Sequence, residues 1–365
     1  MSRHRGAIPC GLPSDEAQHP GRSSAVRRIP TPVRGAAGGR GGRARHDTIP
    51  TLMLIRPYDD QDHAPVRLLL DQSWPGDPVM RELHALHGPA QIFPWQQTLI
   101  AEADGQVVGA GTARHGQRHP ERYWLVLTVA PAWRRRGIGS RLFTELAALT
   151  RHDPRPFRVQ ARPSDTPTME FLQRRGFRPL IRTWEGTIDP RDGGVQRRLT
   201  NLARGAEQFR LTRPRGEALD TSRVELARFY AAWYQAIHAW DPPAPWPDDQ
   251  AVEHFCGADL IADSVVRAYR DGRLVGAGSL IAPPFNPLPD ELYLVQVGTW
   301  GLEGNDARAL TAALVADLIA CAARKEKIIR FEVDDAHVDL WRVIEALPLL
   351  SGDQNFMVLA NDSEV

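Results

Sequence analysis

Lysine, cysteine and sustained apolar runs are all scarce in this 365-residue chain, and each scarcity excludes something. No stretch of about 18 apolar residues occurs, so no membrane-spanning helix is expected. The arginine-rich N-terminus lacks the apolar core of a secretory signal, and a cytoplasmic protein is the expectation. Cys10, Cys256 and Cys321 lie far apart, without CxxC or Cys/His ligand spacing, which argues against a disulfide framework and a zinc site. No metal is expected. Lys325 and Lys327 are the only lysines, so 43 of the 45 basic residues are arginine. Arginine here is partly a coding habit, and spacing has to carry any argument about a basic motif. Charge of either sign is also nearly absent in sum: the net is +1, with 42% apolar residues, which describes a soluble globular protein with no bulk preference for nucleic acid or membrane.

The length fits two domains and a tail. Residues 1–52 are rich in Arg, Gly, Pro and Ser without helical or strand period, and are read as a disordered tail or as sequence translated ahead of a start at Met53. From Leu54 a globular pattern begins. Thr98 to Ala103 and Gln106 to Ala113 flank Asp104-Gly105, a hairpin signature. Tyr123 to Val129 is an apolar strand, and Ile138, Leu142, Leu146 and Leu149 mark one face of a helix. Phe157 to Ala161 is a strand, Thr168 to Arg175 a helix ending at Gly176, and Phe177 to Ile188 a closing strand. This unit spans 53–190. A polar linker, 191–208, leads to a second unit, 209–365, in which the order recurs. The segment Ala103-Asp-Gly-Gln-Val-Val-Gly-Ala-Gly111 matches Arg270-Asp-Gly-Arg-Leu-Val-Gly-Ala-Gly278 at most positions, the mark of a tandem duplication. The second unit continues with strands at Leu292 to Val297 and Ile328 to Val333 and helices at Ser222 to Ala239, Ala307 to Ala323 and Val338 to Leu347. The fold class is therefore α/β (α+β), two tandem domains, each a mixed, mainly antiparallel sheet flanked by helices.

One segment carries chemistry. Leu125-Val-Leu-Thr-Val-Ala-Pro-Ala-Trp-Arg-Arg-Arg-Gly-Ile-Gly-Ser140 runs from a strand, through a turn opened by Gly137 and Gly139, straight into a helix. Successive backbone N–H groups at such a turn, the positive end of the helix and the arginines at its rim make a seat for an anion such as a pyrophosphate. Arg134-xx-Gly137-x-Gly139 after a Val-x-Pro strand end resembles the acetyl-CoA motif of the GNAT (Gcn5-related N-acetyltransferase) superfamily. Asp165-xx-Thr168-xx-Phe171-Leu172-xxx-Gly176-Phe177 is similar to that family's next helix and strand.

The resemblance covers about Leu54 to Pro190. It implies that acetyl-CoA, as co-substrate, lies as a pseudo-strand between two splayed strands. It would be held by the backbone of Leu127, Thr128 and Val129, by the turn of Arg134, Arg135, Arg136, Gly137, Ile138, Gly139 and Ser140, and by Asp165. Direct transfer of an acetyl group to a primary amine follows, the acceptor being a small molecule or a peptide. Nucleic acid and membrane are not expected as partners, and a homodimer is left open. For proton transfer, Glu121 and Tyr123 sit two apart at the start of the central strand, hence on one face; Glu102 and Asp165 are further candidates. Leu172 stands where many relatives carry an acidic Tyr, a departure that favours the alternative of a non-catalytic acyl-CoA sensor. In the second unit Gly298-Thr-Trp-Gly-Leu-Glu-Gly-Asn-Asp-Ala-Arg308 replaces the phosphate loop. Glu303 and Asp306 would repel a pyrophosphate, and Asn305 or Asp306 would cap the helix, so this copy reads as degenerate. His84 and His87, three apart, read as surface residues, and Phe229, Trp233, Tyr234 and Trp240 as core packing.

Overall fold

The computed structural model describes residues 53–282 and 292–362. Cys10 and the arginine-rich tail expected to be disordered lie outside these. In chain order the first half comprises β1 (Leu54–Pro57), α1 (His63–Ser73), α2 (Pro78–Leu83), β2 (Gln96–Ala103), β3 (Gln106–His115), β4 (Tyr123–Val129), α3 (Ile138–Leu149), β5 (Phe157–Ala161), α4 (Thr166–Gln173) and β6 (Arg178–Ile188). After α5 (Gly193–Leu202) the second half follows with β7 (Arg210–Thr212), α6 (Glu217–Asp220), α7 (Arg223–Ile237), α8 (Asp248–Cys256), β8 (Val266–Arg270), β9 (Arg273–Ile281), β10 (Leu292–Thr299), α9 (Gly304–Arg324), β11 (Ile328–Asp334), α10 (Val338–Glu345) and β12 (Ser351–Ala360).

The internal repeat has a physical cause that holds in both halves. Asp104 and Gly105 turn with φ of 52° and 71°, Asp271 and Gly272 with 51° and 77°, the left-handed pair that matches the twist of a two-residue hairpin. The Gly-Ala-Gly after each turn lies beneath the long helix of its own half. A Cβ at Gly111 would stand 2.9 Å from the Leu127 side chain and 3.0 Å from that of Leu146, and one at Gly276 would stand 2.8 Å from Leu310. Helix α3 meets this surface with Ile138, Leu142 and Leu146, all buried and spaced for one face.

All strands join one twelve-stranded sheet in the order β1-β2-β3-β4-β5-β12-β6-β11-β10-β9-β8-β7. Among the described residues only β4 with β5 and β10 with β11 pair in parallel; the remaining neighbours are antiparallel. The order is a palindrome of the two halves with one exchange at its centre. The last strand of the first half, β6, lies against β11 of the second, and the last strand of the second, β12, lies against β5 of the first. The closing strand of the first unit is thus formed where the sequence predicts it, yet it serves the other half's core.

The cores follow the exchange. Ile188 of β6, with Val195 and Leu199 of α5, is buried in the main cluster of the second half, and Leu359 of β12 in that of the first. The segment expected as a polar linker therefore contains an amphipathic helix, its Val195 and Leu199 at 0% and 1% exposure. Helix α8 and strand β12 were not anticipated from periodicity either. Among the described residues no helix is long and apolar enough to cross a membrane.

Shared strands make the halves one cooperative unit. Calorimetric unfolding is expected to show a single transition, and Leu359→Ala, a core deletion in the exchanged strand, to destabilise the whole chain by about 2–5 kcal/mol. Two separated transitions, only one of them sensitive to Leu359→Ala, would contradict this.

Candidate active site

Strands β4 and β5 pair only at Tyr123↔Phe157 and Trp124↔Arg158 and then part. The Tyr123 N–H donates to the Pro156 carbonyl on the β5 side, while that of Ala130 donates to Val108 on β3. Because backbone groups alternate along a strand, the N–H and C=O of Leu127 and Val129 face the gap that β5 leaves. The Val129 carbonyl already accepts from Arg134 Nε at 3.1 Å. Thr128 points its backbone to β3 and its side chain into a buried polar cluster, so two of the three predicted strand residues face the cleft.

The turn that follows places Arg134 to Gly137 at the surface. Gly137, with φ of 84°, is the residue before α3, and no side chain caps this helix end. The left-handed backbone there is what demands glycine, since an added Cβ would meet only open space. Gly139 differs: a Cβ there would lie 3.4 Å from Phe171, an ordinary contact, so packing does not require its bareness. Arg135 also has positive φ, 61°. The Ile138 side chain is buried in the core, which leaves only its backbone for an anion. The uncapped N–H groups of the first turn, with arginines around them, are what an anion can meet.

Sequence reading missed one more cation. Arg175 stacks on Phe171, its Cζ 3.6 Å from the ring centroid, and donates to Ser140 Oγ and to the Phe171 carbonyl at 2.8 Å. Only its position just before Gly176-Phe177 hinted at it. Asp165 is the N-cap of α4, accepting from the Thr168 N–H at 3.3 Å and its hydroxyl at 2.7 Å.

The structure does not bring the predicted proton-transfer residues together. Glu121 is exposed and precedes β4, so the two-residue strand spacing does not apply to it. Tyr123 packs on the α3 side, where its hydroxyl donates to Asp153 at 3.0 Å and burial pushes it up to about 12. Glu102 is ion-paired with Arg56 at 3.0 Å. Leu172 is buried in the core of the first half.

On the face opposite α3 the sheet floors a cavity of about 180 Å³, and neither Glu121 nor Tyr123 lines it. Arg158 and Gln160 of β5, His119 of the β3–β4 loop, Tyr234 of α7 and Glu332 and Asp334 of β11 all do. Both halves therefore build it. Gln160 Oε1 is buried without a partner among the described residues. Asp241, fully buried, pairs with Arg158 and, at 3.0 Å, with Arg122. His119 binds the Asp241 carbonyl through Nδ1 at 2.6 Å and the Tyr234 hydroxyl through Nε2 at 2.9 Å. Burial lowers His119 to about 3, so the ring is neutral. Its Nδ1 must then be the donor, to the carbonyl, and Nε2 accepts from Tyr234. Burial raises Asp334 to about 6, and desolvation at the cavity wall, with Glu185 nearby, also raises Glu332, whose residue keeps solvent-accessible surface.

His84 and His87 are not surface residues. Thr98, Thr112 and Thr128 form a polar stripe across β2, β3 and β4, and the turn after α2 presses both rings onto it. His84 Nδ1 lies 2.8 Å from Thr128 Oγ1, and His87 bridges Thr112 at 2.8 Å and Thr128 at 3.0 Å. The two-letter spacing could not show threonines that only strand pairing brings beneath them. Phe229, Trp233 and Tyr234 do pack in a core as expected. Among the described residues no group of three or more His, Cys, Asp or Glu is placed to hold a metal.

The strand pair thus opens beside an uncapped, arginine-rimmed helix N-terminus. Residues 65–177 match the model of the acetyltransferase (GNAT) family. The fold of the whole is similar to a GCN5-related N-acetyltransferase from Sphaerobacter thermophilus at 16% identity, TM-score 0.56, over 86% of this chain and 96% of that one. It is also similar to a tandem GNAT protein of the clavulanic acid biosynthesis pathway, 15% identical, TM-score 0.50, over 85% and 98%. A glucosamine N-acetyltransferase region of a fungal multi-domain β-N-acetylglucosaminidase matches at 14% identity and TM-score 0.55, covering 86% of this chain and 38% of that one. No curated protein sequence matches the chain. At these identities the likeness is one of fold, and the fold is that of tandem GNAT proteins.

The buried histidines set the acid limit of stability. His84 and His87 are held by burial at about 4 and about 3, below their ordinary 6.5. A depressed histidine stabilises the fold fully above the unfolded value and loses that contribution as pH falls from 6.5 toward the folded value. The unfolding midpoint in urea is expected to fall steadily below pH 6.5, and the ring nitrogens of both residues to show no titration by NMR between pH 8 and 5.5. Titration near 6.5 would contradict the buried placement.

Proposed function

We propose that the first half binds acetyl-CoA and transfers its acetyl group directly to the primary amine of an acceptor held in the central cavity. The observation that carries this reading is the parting of β4 from β5 after Trp124 and Arg158, beside a cavity lined by the same strands. The pyrophosphate meets the turn of Arg134 to Ser140, and the pantetheine arm takes the place of the missing strand, bonded to the backbone of Leu127 and Val129. The acceptor is a small molecule or the amine of a peptide, and the protein works in the cytoplasm. The second half supplies walls of the cavity and has lost its own coenzyme loop.

In this reading the neutral amine attacks the thioester carbon, a C–N bond forms, and the C–S bond breaks as the tetrahedral adduct collapses. The Leu127 N–H supports the charge on the carbonyl oxygen. The amine proton passes to the Tyr234 hydroxyl as that group gives its own proton to His119 Nε2, a transient acceptor, held near 3 by burial, that then releases the proton to water. Asp241, with its carbonyl on Nδ1 and a carboxylate oxygen 3.7 Å from it, steadies the resulting imidazolium. The departing thiolate takes a proton from water, since Leu172 has none to give. Holding both reactants in one geometry supplies much of the acceleration.

The buried Leu172 favours a second reading, a sensor that binds an acyl-CoA without turning it over. Thiol release from acetyl-CoA, measured with a panel of primary amines, separates the two. Amine-dependent release is expected, and Tyr234→Phe should lower kcat by roughly 100-fold while leaving acetyl-CoA affinity unchanged. Tight acetyl-CoA binding with no amine-dependent release would establish the sensor instead.

A further inference from the structure

The second half has a cleft of its own. β10 and β11 pair from Leu292↔Ile328 to Leu294↔Arg330 and then separate. The gap opens into a cavity of about 120 Å³ walled by Val295 to Val297 on one side and Glu332 to Asp334 on the other, with Trp233 and Ile237 of α7 above it. An acyl-CoA is a poor occupant. The loop before α9 carries Glu303 and has no arginine where Arg134 stands in the first half. Asp306 does not cap this helix, contrary to expectation, and neither does Asn305: no side chain does, and Asp306 instead binds Arg270 at 2.8 Å and Gln208 at 3.0 Å.

Two observations point to another class of ligand. Glu253, Asp259, Glu332 and Asp334 all border the cavity, and among the described residues no Lys or Arg does, in a chain with 45 of them. The bordering histidines, His238, His254 and His337, are neutral, each held by burial at about 3. Independently, three polar groups on its wall are buried without a partner among the described residues: His337 Nε2, in a residue 7% exposed, which can accept, and Trp233 Nε1 and Gln296 Nε2, in residues 8% and 9% exposed, which donate. A buried polar atom without a partner is costly unless something fills the space beside it. Glu332, an exposed residue, borders the same cavity. Its neighbour across the strands, Glu185, takes the guanidinium of Arg330 at 2.7 Å.

We propose that this second cleft binds a small organic ammonium ion with an apolar body, the cation between Asp334 and Glu332, which gives up its proton to solvent as the cation arrives, and the body against Trp233 and Val297. His337 Nε2 accepts from the ammonium in its Nδ1–H tautomer. The indole face adds attraction for the cation. This site stands apart from the coenzyme cleft of the first half, although Glu332 and Asp334 also border the central cavity.

The test uses the full chain, without acetyl-CoA, and benzylamine as probe at pH 7.5, with benzyl alcohol as its neutral counterpart, followed by calorimetry. One site for benzylamine is expected, with benzyl alcohol and the Glu332→Gln variant each weaker by about 10-fold or more. Ile237→Trp, which fills only this cleft, should abolish binding, while Gly137→Glu should leave it intact. Asp334→Asn serves as the charge variant if Glu332→Gln does not fold, as judged by circular dichroism. Equal binding of the alcohol, full affinity after loss of the carboxylate, undiminished binding in Ile237→Trp, or no binding of benzylamine would each overturn the proposal.

Discussion

Backbone pairing at the middle of the sheet, β12 against β5 and β6 against β11, is the constraint from which the remaining architecture follows. A strand's hydrogen bonds cannot be released one at a time without leaving buried N–H and C=O groups unpaired, so the exchange fixes the halves to each other. It also fixes register, because a one-residue slip would send Phe356, Val358 and Ala360 to the wrong faces. With register set, β5 and β11 present their side chains on a common floor. Arg158 and Gln160 from one half then face the same cavity as Glu332 and Asp334 from the other. A pair of domains joined only by a linker would have no reason to hold such a floor together.

Charge is distributed unequally over that frame. The first cleft ends in exposed arginines and a bare helix N-terminus, both suited to a polyanion. The second ends in Glu303 and opens onto carboxylates, which suit a cation. Between them, Asp241 is buried and satisfied by Arg122, Arg158 and His119, so its charge is spent on joining the first half's strands to the loop after α7. The two strand gaps thus lie among side chains of opposite charge. The buried histidines, neutral throughout, let polar groups line these interiors without adding charge.

Local pattern was enough for much of this. Tyr123–Val129, Ile138–Leu149 and Phe157–Ala161 fall where the apolar spacing puts them, and the two Asp-Gly hairpins turn as their dipeptides require. The turn between Val129 and Ile138 was legible for the same reason: strand, turn and helix are contiguous along the chain. What was illegible depends on residues far apart in sequence. Nothing in Ser351–Ala360 states that it will pair with β5, and nothing in His84 or His87 states that threonines of three strands will meet them. The His119–Tyr234 contact joins positions 115 residues apart. Glu121 and Tyr123 were paired by a strand period that begins only at Tyr123. Asn305 and Asp306 had the composition of a cap, but Glu303 occupies the cap position and Asp306 finds Arg270.

The central claim is that one coenzyme site exists per chain and that it lies in the first half. Calorimetric titration of acetyl-CoA into the chain lacking residues 1–52 tests it most directly, beside Gly137→Glu and Gly304→Glu, each of which fills one of the two helix-leading turns. The account predicts a stoichiometry of one, lost with Gly137→Glu and kept with Gly304→Glu. Loss with Gly304→Glu alone, two sites, or no binding by the unaltered protein would contradict it.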